Sequence, residues 1–200
     1  MKNNSMWSFK LSTAALVLIP AAVGINFIGK LFASLLKLPL WVDSIGTVLS
    51  SMLAGPIVGA LTGIVNNVFY GFTTSPVSFV YAITSAVIGL VTGIMAYKGW
   101  ISNVGKAIVL GLVVGFIAAI VSTPLNIMFW EGTTDNVWGD ALFALLLSKD
   151  MPLYLASFAD SIVVDVPDKV ITVLLSYLIF KGLPKNVKNM YDNTGEIERL

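Results

Sequence analysis

The chain has no cysteine and no histidine among its 200 residues. Disulfides, thiol nucleophiles, Cys/His zinc sites, His-ligated haem and an imidazole general base are therefore excluded. Charge is scarce too: Asp, Glu, Lys and Arg make up 12%, against about a quarter in a soluble domain. The net charge is +1, which provides no bulk attraction for nucleic acid. The Gly-rich phosphate loop of Walker A type is missing, so any active process involving this chain takes its ATP hydrolysis from another polypeptide. The strict apolar/polar alternation of a membrane β-barrel is missing as well.

What fills the chain is apolar sequence. Hydrophobic residues make up 56%, and the mean hydropathy is +0.87. No charged residue occurs over 44–97 or over 107–130. About 20 apolar residues cross a bilayer core as a helix, so the first run is long enough for two to three spans. An integral membrane protein made of helices is expected. Lys2 and Lys10 followed by an apolar run and Ala21-Ala22 also fit a signal peptide, but the topology below keeps this segment as a helix.

Six helices are expected, at about 9–36, 43–53, 56–72, 78–97, 106–129 and 166–182. An outer segment over about 130–165 is partly helical from Trp138 to Leu147, and a cytoplasmic tail covers about 183–200. Gly55-Pro56 predicts a tight turn, because proline favours the first position of a new helix and pushes its predecessor out of helical geometry. A single kinked helix over 43–72 would be about 45 Å long, too long for one span without strong tilt. With both termini in the cytoplasm, Lys2, Lys10, Lys98, Lys106, Lys181, Lys185, Lys188 and Arg199 lie inside, and only Lys30, Lys37 and Lys149 outside. That asymmetry follows the positive-inside rule. Glu131 and Asp135, Asp140, Asp150, Asp160 and Asp165 then all fall outside.

Glycines four apart, Gly59/Gly63, Gly89/Gly93 and Gly111/Gly115, let helix backbones approach closely. On helix 1 the small residues Ser12, Ala15 and Ala22 form one face suited to a partner helix. Asp43 stands where an N-cap for helix 2 belongs, with Ser44 as the competing cap.

The segment Leu38-Pro39-Leu40-Trp41-Val42-Asp43-Ser44-Ile45-Gly46-Thr47, then Leu53-Ala54-Gly55-Pro56 with Gly59-Ala60, and Pro167-Asp168-Lys169-Val170 carry a resemblance that covers nearly the whole chain. They resemble the S components, the substrate-binding membrane subunits, of energy-coupling factor (ECF) vitamin transporters, and in particular the riboflavin-transporter-like branch. The resemblance implies an all-α membrane protein: one integral domain over 1–200, a bundle of six transmembrane helices with cytoplasmic termini, in the bacterial plasma membrane. It implies capture of a vitamin, flavin or nucleoside-like small molecule from outside. Delivery follows docking on a transmembrane coupling subunit (the T component) and two ATPase subunits, which use the ATP. It implies no catalysis, metal or cofactor on this chain. The family's Ala-x-x-x-Ala docking pattern is not reproduced, since Ala15 is followed four on by Ile19 and Ala22 by Asn26.

The same resemblance puts the pocket near the outer surface and gives it Trp41, Asn66, Asn67, Tyr70, Tyr81, Asn126, Trp130, Glu131, Asp168 and Lys169. Residue chemistry points the same way. Polar groups at membrane depth face a partner or a wet cavity, and Asn126 and Trp130 share one helix face at i, i+4. An aromatic plane beside an amide suits a flat heterocycle. Other readings stand beside this one. Interfacial Trp41, Trp130 and Trp138 need no ligand, Asn66 can pair with another helix, and Asp168 can cap the last helix. A stand-alone membrane carrier or channel is the alternative function, without the inverted repeat or pore-lining charge series expected of it.

Overall fold

A computed structural model describes residues 12–191, and among these every regular element is helical. In chain order they are α1 (Thr13–Leu35), α2 (Ile45–Ala54), α3 (Pro56–Thr73), a 3₁₀ turn (Pro76–Phe79), α4 (Ala82–Tyr97), α5 (Val104–Trp130), α6 (Val137–Leu147), α7 (Leu153–Gly182) and α8 (Lys185–Tyr191). Two of these, α1 and α5, are long and apolar enough to cross a membrane. The ten residues of α2 reach only about 15 Å.

Gly55 and Pro56 do make a hinge. Gly55 has φ +86°, a conformation glycine adopts without steric cost, and Pro56 opens α3 at its first position. This folds α3 back along α2. Residues Ile45 to Leu53 of α2 are all buried, because α2 packs on α1, α3, α4 and α7 together.

The paired glycines are packing surfaces within the bundle. A Cβ on Gly89 would lie 2.3 Å from the backbone of Gly59, and one on Gly93 would lie 2.4 Å from Pro56 Cα. A Cβ on Gly111 or Gly115 would meet Val170 or Val166 Cα at 2.7 Å. Backbones this close bring α3 onto α4 and α5 onto α7, and a single methyl on either seam would part them.

Beside an apolar core, the bundle buries many polar side chains and exposes many large apolar ones. Asn26, Thr47, Ser50, Thr62, Thr92, Asp160, Asp168 and Ser176 are fully buried. Phe72, Val137, Met128, Leu35 and Leu178 are exposed by 80, 83, 73, 72 and 61%, well beyond scattered surface apolars.

Several sequence expectations are corrected. The last long helix starts at Leu153, not near 166. Pro167 lies inside α7, and Asp168 and Lys169 sit in mid-helix where they cap nothing. The segment 130–165 is therefore mostly helical, as α6 and the first part of α7. Helix 4 begins at Ala82, after the 3₁₀ turn. The tail contains α8. Helix 1 begins at Thr13 with Ser12 as its cap, accepting from the Ala15 N–H at 3.1 Å. Residues 9–11 and 192–200 lie outside the described residues.

The expected docking stripe on α1 is corrected too. Ala15 and Ala22 are 2 and 1% exposed. Ala22 faces inward because α2 rests directly on it, a Cβ on Gly46 lying 1.9 Å from its carbonyl oxygen, and Ala15 is part of the apolar core. The small residues that α1 leaves exposed are Thr13, Pro20, Ala21, Gly24 and Ser34.

Candidate functional site

The entry to α2 is organised from a distance. Asp43 is not its cap. Ser44 holds the cap position, but its side chain makes no capping bond. Instead Asn26, fully buried on α1, presents Oδ1 to the Gly46 N–H at 2.7 Å and the Thr47 N–H at 3.4 Å, while its Nδ2 donates to Thr47 Oγ1 at 3.0 Å. A neighbouring helix thus supplies the acceptor that the first free N–H groups of α2 require.

The preceding loop is tied to α7. Val42 has φ +50°, unusual and costly for a β-branched residue. Two features hold it there. Its N–H donates to Asp168 Oδ1 at 2.8 Å. Its carbonyl oxygen lies where a side chain on Gly29 would otherwise sit, 2.2 Å from a Cβ built there. Asp168 also accepts from Lys169 Nζ at 2.5 Å, and Lys169 reaches Asp43 at 3.9 Å. Asp168 is 0% exposed and Lys169 4%. A buried carboxylate is sustained here because it has both an ammonium group and a backbone donor.

These ties place Trp41 and Asp43 over a cavity of about 210 Å³. Its walls come from every part of the bundle except α2, α6 and α8. Lys30 of α1, Trp41 and Asp43 of the loop and Asn67 of α3 line one side. Ser75, Ser78 and Tyr81, around the 3₁₀ turn, continue into Thr84 and Ser85 of α4. Ser122, Asn126 and Trp130 of α5 face them, with Thr134 and Asp135 beyond, and Asp165 and Lys169 of α7 close the ring.

The lining is held in place by hydrogen bonds. Tyr81 donates its phenolic O–H to Asn126 Oδ1 at 2.7 Å, and Asn126 Nδ2 donates to Ser161 Oγ at 3.1 Å. Asn67 Nδ2 donates to Ser85 Oγ at 2.6 Å and to the Gly63 carbonyl at 3.1 Å. Ser122 Oγ lies 3.2 Å from Asp165 Oδ2. Thr134 is anchored twice, by its N–H to Asp140 Oδ1 at 2.9 Å and its hydroxyl to Asp160 Oδ1 at 2.8 Å.

Of the residues expected from sequence, Trp41, Asn67, Tyr81, Asn126, Trp130 and Lys169 meet around this cavity. Asp168 stands behind it. Asn66 is buried with Oδ1 unpartnered, and Tyr70 is buried with its hydroxyl unpartnered; neither lines the cavity. Tyr70 acts through Lys30, whose Nζ lies 4.3 Å from the centre of its ring. Glu131 is exposed at the C-terminal end of α5, in left-handed geometry at φ +55°. Residues 66, 67 and 70 share the buried face of α3, and of the three only Asn67 reaches the cavity.

Residues missed from sequence include Lys30, Ser122, Thr134 and Asp165, and Asp43 in the role it plays here. Ser122, Asn126 and Trp130 form one i, i+4, i+8 row, so Ser122 was available by extending the row inward by one turn. Asp165 and Lys169 share the same spacing, which an early start for α7 makes readable.

Among the described residues no group of three or more acidic residues is placed to hold a metal ion. Comparison with family models, with curated proteins and with solved structures finds no match to this chain.

Proposed function

We propose that this chain is a multi-pass membrane protein that binds one small organic molecule, and specifically the substrate-binding S component of an ECF-type importer. The observation that carries the binding role is the cavity itself. The bundle leaves about 210 Å³ open, bordered by Trp41, Tyr81 and Trp130, with Asn67 and charged groups from α1, α7 and the loop. Aromatic planes with a few fixed polar groups are what a small-molecule site requires. The membrane reading rests on α1 and α5, on the apolar exterior and on the polar groups buried within. Lipid tolerates exposed Phe72 and Val137, whereas buried hydroxyls and amides bond among the helices.

The importer reading rests on the resemblance of segments 38–47, 53–60 and 167–170. Those segments include Trp41 at the cavity, the Gly55-Pro56 hinge and the Asp168-Lys169 pair. On this reading the chain lies in the bacterial plasma membrane with both termini inside, and a coupling subunit and two ATPases deliver the captured molecule inward. It is a carrier of substrate, not an enzyme.

The test is to purify the full chain from its native membrane in mild detergent. Mass spectrometry of the denatured sample should find one small molecule at near-stoichiometric amount, and a coupling subunit and ATPases should co-purify. Rapid substrate flux through vesicles containing the chain alone would overturn the importer reading in favour of a stand-alone carrier. Absence of any retained or rebinding small molecule would overturn the binding role.

A further inference from the structure

Resting on the reading of the cavity as a substrate site, we infer that its ligand is a small cation: a one- or two-ring aromatic molecule with a positively charged nitrogen group rich in N–H donors.

Charge points first in this direction. The cavity carries Asp43, Asp135 and Asp165 against Lys30 and Lys169, and Asp168 lies directly behind Lys169. Three carboxylates of the lining thus meet two ammonium groups, with a fourth carboxylate behind Lys169. The charge of Lys169 is already met inside the protein, by Asp168 at 2.5 Å and Asp43 at 3.9 Å. Lys30 lies against the ring of Tyr70. The walls add to the same sign. Trp41, Tyr81 and Trp130 border the cavity, and aromatic faces attract cations through the ring quadrupole.

The hydrogen-bond inventory points independently to a donor-rich ligand. Both ends of the Asn126 amide are occupied. The Asn67 amide spends its N–H₂ on Gly63 and Ser85, so only its carbonyl oxygen is left to offer. Asp165 Oδ2 lies 3.2 Å from Ser122 Oγ, whose hydroxyl hydrogen also has the Ala118 carbonyl at 2.8 Å, and among the described residues no donor reaches Oδ1. On the Asn67 and Asp165 side the Asn67 carbonyl and Asp165 Oδ1 are acceptors only, and the Thr84 and Ser85 hydroxyls beside them serve as either donor or acceptor. A ligand that supplies N–H donors satisfies them; a carboxylate ligand would leave the Asn67 carbonyl and Asp165 Oδ1 facing lone pairs.

Size narrows the class further. About 210 Å³ is below the roughly 300–1,000 Å³ of sites for drug-sized ligands. A three-ring flavin with its polyol chain exceeds it, and a single substituted heterocycle fits.

Three planar probes of matched shape test the inference: benzamidinium, benzamide and benzoate, which differ in charge and donor count. Each is added at millimolar concentration to the purified full chain, and thermal unfolding and displacement of any retained ligand are followed. Stabilisation should fall in the order benzamidinium, benzamide, benzoate, with benzamidinium binding about tenfold or more tighter than benzoate. Asp165→Asn should remove most of the preference of benzamidinium over benzamide. If that variant does not fold, Asp43→Asn, on the half-buried loop, serves in its place. Benzoate binding best, or a neutral or anionic molecule released from the native protein, overturns the inference yet leaves the substrate-binding reading intact. No shift with any probe and no released molecule overturns both.

Discussion

Asp168 offers the sharpest test of how the site is held. Its carboxylate is fully buried and does two things: Oδ1 fixes the Val42 N–H at 2.8 Å, and Oδ2 neutralises Lys169 at 2.5 Å. Asp168→Asn keeps an oxygen for Val42 but removes the charge, leaving Lys169 buried with Asp43 at 3.9 Å as its nearest partner. Breaking a buried ion pair from one side costs about 3–5 kcal/mol. For a chain of this size each kcal/mol shifts the melting temperature by about 2–4 °C, so a fall of about 6–20 °C is expected. Asp168→Ala should fall further by about 1–3 kcal/mol, because the Val42 N–H is then orphaned as well. The Asp168→Asn/Lys169→Met double variant should recover at least half of the Asn loss, since no uncompensated charge remains. Thermal unfolding in detergent, followed by circular dichroism, reads all three. An Asp168→Asn variant melting within about 2 °C of the parent, or a double variant no better than the single, would refute the account of this pair.

Four further outcomes follow from the same geometry. Asp43→Asn should lower stability by no more than about 1 kcal/mol, because its bond to Lys169 is longer and its side chain is 29% exposed; a larger loss in the same melting assay contradicts this. Gly46→Ala should abolish a monodisperse folded peak on size exclusion, its Cβ landing 1.9 Å from the Ala22 carbonyl oxygen, whereas Gly24→Ala, with nothing within 4 Å, should elute and melt like the parent. Asn26→Ala should cost about 2 kcal/mol or more by removing the cap of α2 and leaving the Gly46 N–H buried without an acceptor; a melting point unchanged from the parent argues that another group caps α2. Trp130→Ala should weaken binding of the native ligand by about 30-fold, as loss of a central aromatic anchor does, while Glu131→Ala should leave it unchanged; equal effects in a calorimetric titration would misplace the cavity wall.

Much of this was legible in the residues themselves. The long uncharged runs set the helical class. Gly55-Pro56 set the break between α2 and α3, because no other pair so strongly forbids a continuous helix. The glycines four apart marked the α3–α4 and α5–α7 seams. Asn126 and Trp130 could be placed on one face by spacing alone.

The rest depended on tertiary structure. The start of α7 was obscured because Asp160, Ser161 and Asp165 break its apolar pattern, and Pro167 imitates a helix start. These polar residues belong in the helix because their partners, Thr134, Asn126 and Ser122, arrive from elsewhere in the chain. Ala15 and Ala22 read as an outward docking stripe, yet both are buried in the bundle. Asp43 read as a cap, yet Asn26, 20 residues before Gly46, performs that task and leaves Asp43 for Lys169. Local pattern determines where a helix can form and which residues share a face. Only packing decides which face is inside and which buried polar atom finds which partner, since each pairing depends on where residues far apart in sequence come to rest.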